Sequence, residues 1–191
     1  MASNLGHLLW SGIVDEGRAG PTMRRLFRDD MFSGWGIRSL STDNPSYNPI
    51  TYHNGTVWPH DTSLAAWGLA RAGDSAGVNR IAEALLTAAR YFGWSLPEVF
   101  AGFARDRTPF PIAYPTAARP QAWAAGTPVL LLRLLLGLEP DLAARELRST
   151  GTTPPLWADG LELDGVRAFG STWNVRVARG RVVIQGSGDP V

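Results

Sequence analysis

The stretch Met31–Trp67, MFSGWGIRSLSTDNPSYNPITYHNGTVWPHDTSLAAW, decides how the rest of the chain is read. It is too turn-rich for a regular element, because Asn44-Pro45, Asn48-Pro49 and Asn54-Gly55 are turn-forming pairs. It is also too aromatic for a disordered linker: Trp35, Tyr47, Tyr52, Trp58 and Trp67 are interleaved with Arg38, Asp43, Asn48, His53, His60 and Asp61. Long loops inside compact domains are mostly functional or disordered, and this composition favours function. Near its end, Pro59 suits the first position of a helix predicted to run to Gly73, which puts His60 and Asp61 in the first turn.

Helical spacing surrounds the loop. Asn4 is expected to cap a helix with Leu5, Leu8, Leu9 and Ile13 on one side. Asp15 to Gly20 would end it, and Pro21 would start a short second helix carrying Met23, Leu26 and Phe27. Ser75 is expected to cap the most regular helix, in which Val78, Ile81, Ala82, Leu85, Leu86, Ala89 and Phe92 recur at three and four residues before Gly93. A second polar and aromatic loop, from Gly93 to Arg119, holds Trp94, Pro97, Glu98, Phe100, Phe103 and Tyr114. Pro120 then opens QAWAAGTPVLLLRLLLG, a helix that Pro128 should kink.

After Gly151 the period changes to two. Leu161–Leu163, Trp173–Val177 and Val182–Ile184 read as strands, with turns at Asp164-Gly165 and Arg179-Gly180. The expected organisation is a helical body over 1–150, built of antiparallel helix pairs with elaborate loops at one end, and a small antiparallel β appendage over 151–191.

Composition narrows the function. A net charge of +1 without a basic run leaves no electrostatic footprint for nucleic acid or an anionic membrane surface. The absence of cysteine excludes disulfides, thiolate metal sites and cysteine nucleophiles. No apolar run approaches the ~18 residues of a membrane span. MASNLGHLLW lacks the basic n-region of a secretory signal, so a cytoplasmic protein is expected. There is no nucleophile elbow, phosphate-binding loop or dinucleotide glycine pattern, and no cofactor is implied.

Glu98, in SLPEVFAGF, is a candidate general acid or base, since apolar neighbours would raise its pKa. The plainer alternative is an exposed loop carboxylate or a helix-start charge. Asp61 in a first helical turn is favourable for the helix dipole alone. His53 and His60 lack metal-ligand spacing, so no metal site is expected. The Tyr, Trp, His, Asn and Arg set is better suited to sugars. Flat faces pack on pyranose rings, and planar amides and guanidinium groups fork onto vicinal hydroxyls.

GWGIRSLS, YNPITYHNGTVWPHD, LPEVFAGF and YPTAARPQAWAAGTPVLLL follow one another in this order. With the tail VRAFGSTWNVRVARGRV they resemble the C-terminal half of the bacterial amylo-α-1,6-glucosidase, or glycogen-debranching-like, family. The resemblance implies an inverting glycoside hydrolase of the six-hairpin (α/α) barrel type, here mainly α, an incomplete (α/α)6 barrel with a β tail. It implies that Trp35, Arg38, Tyr52, His53, Trp58 and His60 line a sugar-binding mouth, and that Glu98 is the general base. Inversion needs a second carboxylate roughly 6.5–9.5 Å away. The resemblance places that acid in the earlier half of the barrel, which this chain lacks, while Asp61 is favoured over Asp43 and Asp106 within it. The expected ligand is an α-glucan or oligosaccharide, and the expected partner a separate chain carrying the missing half, without which the segment would be inactive. An unpaired half barrel should also expose an apolar patch, on the helices after Ser75 or before Leu5. A non-catalytic carbohydrate-binding remnant and a helical interaction domain are the alternatives.

Overall fold

The computed structural model describes the backbone of residues 1–190 and the side chains of residues 1–186. Among the described residues the α-helices come first: α1 (Asn4–Ser11), α2 (Glu16–Leu26), α3 (Pro59–Arg71), α4 (Ser75–Tyr91) and α5 (Ala122–Leu135). Five strands follow: β1 (Leu138–Asp141), β2 (Glu146–Ser149), β3 (Glu162–Ala168), β4 (Ser171–Ala178) and β5 (Arg181–Pro190). The chain divides into two compact units, Met1–Leu131 and Leu132–Val191.

In the first unit α3 and α4 form where the spacing places them; α1 stops at Ser11, short of Ile13, with Ser3 and not Asn4 at its N-cap, and other caps differ too. Asp15, expected to end α1, starts α2: its Oδ1 accepts the Arg18 N–H at 2.9 Å. Pro21 therefore lies inside α2, where the carbonyl it leaves free, that of Gly17, is on an exposed residue. Asp74, not Ser75, caps α4 by accepting the Gly77 N–H at 2.9 Å.

α1 and α3 pack along their lengths at small residues. A Cβ on Gly6 would lie 2.3 Å from Ala65 Cβ, and one on Gly68 would lie 2.7 Å from Leu9 Cβ. Contacts that advance together in both helices mean that α1 and α3 run parallel. α4 buries Val78, Ile81, Ala82, Leu85, Ala88 and Ala89 and exposes Arg80, Glu83 and Arg90, an ordinary amphipathic division. α5 is different: the residues it exposes include Ala122, Trp123, Ala125 and Val129, all apolar.

The second unit is β-rich from its start. The hairpin β1–β2, in antiparallel register from Leu138↔Ser149 to Asp141↔Glu146, lies in a segment expected to be helical body. It begins at Leu138, just past Gly137 where the expected helix ends, and its four-residue strands are too short for a period-two pattern to stand out. β3–β4–β5 form a three-stranded antiparallel sheet, and Leu136, Leu138, Val175 and Val177 form the buried cluster of this unit. The expected turn at Arg179-Gly180 is present, with φ 53° and 69°. Asp164-Gly165 is not a turn but a bulge within β3, where the register jumps from Leu163 to Val166. Asn174 Oδ1 accepts the Gly165 N–H at 3.1 Å, and the chain reverses later, at Phe169-Gly170.

Candidate functional site

Single-residue antiparallel bridges run through the two polar-aromatic loops of the first unit: Arg38–Val57 within the first, Phe100–Ala113 within the second, and Val57–Phe100 tying the two together. Val57 and Phe100 exchange both main-chain hydrogen bonds, at 2.9 and 3.0 Å, and both are fully buried. Buried backbone groups require partners, and these loops supply them to each other. The closest approach is at Gly102, where a Cβ would stand 1.7 Å from the Gly55 carbonyl oxygen. The segment Tyr52–Trp58 is thereby set beside the segment that begins at Glu98.

Across that junction Tyr52 donates its hydroxyl to Glu98 Oε1 at 2.6 Å. The Ala118 N–H donates to Glu98 Oε2 at 3.2 Å, and the Glu98 N–H returns to the Ala118 carbonyl at 3.0 Å. The expectation of a raised Glu98 pKa is corrected: the Tyr52 hydroxyl, followed by the Ala118 N–H, holds its carboxyl below the usual value and outweighs desolvation. Tyr52 pays the reciprocal shift, its phenol pushed up to about 12 chiefly by the hydrogen bond to Glu98. The pair is an ionised carboxylate facing a protonated phenol.

Aromatic rings extend from this pair. Tyr52 lies against Tyr114 and Trp58, at centroid separations of 5.6 and 4.7 Å. His53 stacks on Trp58 at 5.4 Å with planes 7° apart. His60 follows Trp58 and in turn meets Trp123 at 4.7 Å. Trp58 is pinned by its Nε1–H, which donates to the Tyr52 carbonyl at 3.1 Å and to Thr56 Oγ1 at 3.0 Å. A cavity of about 390 Å³ opens at the far end, and Trp10, Leu64, Trp123 and Leu130 line it together with His7 and His60.

Asp61 has a partner that no local pattern announced. His7 of α1 meets Asp61 Oδ1 at 2.5 Å, and this hydrogen bond lifts the imidazole's pKa above its ordinary value despite partial burial. Burial lowers the pKa of His60, while the charges of Asp61 and Glu98 act in the opposite direction. Both carboxylates are thus near enough to His60 to influence its proton. Nδ1 of His60 is buried with no hydrogen-bond partner among the described residues.

Trp35 and Arg38 lie elsewhere, inside the fold. Trp35 is 2% exposed, with the Arg105 guanidinium 4.7 Å over its ring and Tyr91 against its edge. Arg38, also 2% exposed, donates from Nε to the Gly102 carbonyl and from Nη1 to the Asp29 carbonyl, both at 2.7 Å. The structure therefore brings Tyr52, His53, Trp58, His60 and Glu98 into one connected group. It places Asp61 at the edge of that group, on His7, and leaves Trp35 and Arg38 buried among the supports of the loop. Among the described residues no cluster of three or more His, Asp or Glu is arranged to hold a metal ion, and no helix is long and apolar enough to cross a membrane.

Residues 4–98, just under half of the chain, match the family model of the mannosylglycerate hydrolase MGH1-like glycoside hydrolase domain. No curated protein sequence matches the chain. The matched span begins at α1 and ends at Glu98, so it contains the Tyr52–Glu98 pair and the His7–Asp61 pair alike. The comparison supports glycoside hydrolase kinship at the level of the domain and does not single out amylo-α-1,6-glucosidases. Over residues 4–98, then, this chain is similar to a glycoside hydrolase domain.

Proposed function

We propose that the chain forms one wall of an inverting glycosidase site that acts on α-glucans or related α-glucosides, with Glu98 as the general base. The observation that carries this reading is the Tyr52–Glu98 hydrogen bond of 2.6 Å, set among aromatic rings within the span that matches a glycoside hydrolase domain. In such a reaction the base removes a proton from water while the water oxygen attacks the anomeric carbon. The glycosidic C–O bond breaks as the acid protonates the leaving oxygen. A base must be ionised beforehand, and two donors on Glu98 favour that form. The same donors weaken it as a base, so they act through orientation and charge more than through proton affinity.

Tyr52, His53, Trp58 and His60 then offer ring faces and polar edges to sugar. Trp35 and Arg38 are assigned to holding the loop. The general acid is assigned to a separate chain carrying the remaining helices of an (α/α)6 barrel, with Asp61 the candidate in this chain. The parallel course of α1 and α3, and the apolar residues exposed on α5, support a half barrel awaiting more helices. One observation favours a second reading, binding without turnover by this chain alone: Oδ1 of Asp61 is already taken by His7.

The test is hydrolysis of α-1,6- and α-1,4-linked glucans and of mannosylglycerate, the compound for which the matched family is named. The chain is assayed alone and mixed with a candidate complementary half. Glu98→Gln should reduce turnover roughly 10²–10⁴-fold. Turnover that survives this change removes Glu98 from the mechanism, and saturable binding without turnover in every mixture supports the second reading.

A further inference from the structure

Two successive residues at the end of α4 adopt left-handed backbone, Gly93 with φ 59° and Trp94 with φ 64°. Glycine takes this conformation freely, whereas a large L side chain is strained in it. The helix stop itself needs only a backbone donor, and the Trp94 N–H supplies it to the Ala89 carbonyl at 2.8 Å. Burial does not offset the strain, because Trp94 is 68% exposed. Among the described residues no ring partner or side-chain hydrogen bond holds its indole. For folding alone, a second glycine would serve better here. Strained, exposed positions of this kind are where function is sought.

The location gives the strain a use. Leu96 and Pro97 are buried and anchor the short path from Trp94 to Glu98. Ala118 and Arg119, neighbours in sequence, tie Glu98 to the end of α4. The Ala118 N–H binds Glu98 Oε2, and Arg119 Nη2 donates to the Phe92 carbonyl, one residue before the left-handed pair. A rigid indole face is therefore displayed on the loop that carries the candidate base, one short step of chain away.

We propose that Trp94 is a stacking platform for a sugar ring beyond the one at Glu98, and so makes affinity depend on oligosaccharide length. This inference rests on the reading of the Glu98 site as a sugar site. The ring's C–H face would lie on the indole, a contact that is apolar and tolerant of linkage.

Maltose, maltotetraose and maltoheptaose are titrated calorimetrically into the full chain, its Trp94→Gly variant and its Trp94→Phe variant. The wild type should bind the longer sugars more tightly. In Trp94→Gly, maltoheptaose affinity should fall about tenfold and the gain with length should disappear, on the scale of losing one anchoring aromatic. Trp94→Phe should recover part of the gain. Trp94→Gly should also melt at a higher temperature than the wild type, since it relieves the backbone. A lower melting temperature would make Trp94 a support of the fold and overturn the inference. So would a length dependence that persists in Trp94→Gly, or equal wild-type affinity for all three sugars. Failure of the wild type to bind any of the three would instead overturn the sugar-site reading beneath it.

Discussion

Tyr52 and Glu98 lie 46 residues apart in the chain and meet through one 2.6 Å hydrogen bond, phenol to carboxylate. The hydroxyl from the first loop binds one carboxylate oxygen, and the Ala118 N–H of Glu98's own loop binds the other. Removing the hydroxyl in Tyr52→Phe takes away the largest influence that lowers the Glu98 pKa. The Glu98 carboxyl should then titrate at higher pH, as followed by carbon-detected NMR of labelled glutamate. The sign follows from linkage. A carboxylate depressed in the folded state stabilises the fold above its unfolded pKa, and that contribution is lost as pH falls through the folded value. Tyr52→Phe should therefore show a smaller loss of stability on acidification than the wild type.

His7 provides the opposite dependence. Its pKa is raised by Asp61, so its contribution is complete below the ordinary imidazole value and lost as pH rises through the elevated one. His7 is about one-third exposed, which keeps the effect to the order of 1 kcal/mol or less. Thermal melts of wild type and His7→Gln between about pH 5 and 9, bracketing the ordinary imidazole pKa, should converge toward alkaline pH. A difference that is constant across the range would remove the ion pair as its source.

Arg38 separates a scaffold role from a sugar-binding one. Its two 2.7 Å bonds go to the Gly102 and Asp29 carbonyls, and lysine cannot reproduce the guanidinium's divergent donors. Arg38→Lys should destabilise the first unit by roughly 2–4 kcal/mol in chemical denaturation. If Arg38→Lys instead weakened sugar binding at unchanged stability, the residue would belong to the ligand.

Gly102 tests the junction of the loops. With the Gly55 carbonyl oxygen 1.7 Å from where a Cβ would stand, Gly102→Ala must separate the two segments. A loss of about 3 kcal/mol or more is expected, accompanied by loss of the Tyr52–Glu98 contact. An alanine variant of unchanged stability would show that the two segments are not held at this distance.

What could be read from the sequence was whatever is encoded locally. α3 and α4 follow from Pro59 and from apolar spacing of three and four residues, and the Arg179-Gly180 turn from its own dipeptide. Tyr52 and Glu98 drew attention as chemistry-bearing residues in separate loops. Their meeting depends on the Val57–Phe100 bridge, which no periodicity announces. His7 was missed because it lies on an ordinary helix, and its partner Asp61 is 54 residues away. Trp35 and Arg38 show a related ambiguity: the side chains that suit sugars also satisfy buried carbonyls and cores, and both of these are buried. Asp164-Gly165 has turn chemistry but was used as a bulge, since Asn174 on the neighbouring strand accepts its N–H.

The Val57–Phe100 bridge acts as a fulcrum. On one side of it Tyr52 grips Oε1 of Glu98; on the other, Phe100 pairs with Ala113, from which the chain continues to the Ala118 N–H on Oε2. The carboxylate is clamped from two arms that share one buried pivot. It can turn only if an arm lets go, so a ligand that displaces either arm changes the aim of Glu98 as well as its surroundings.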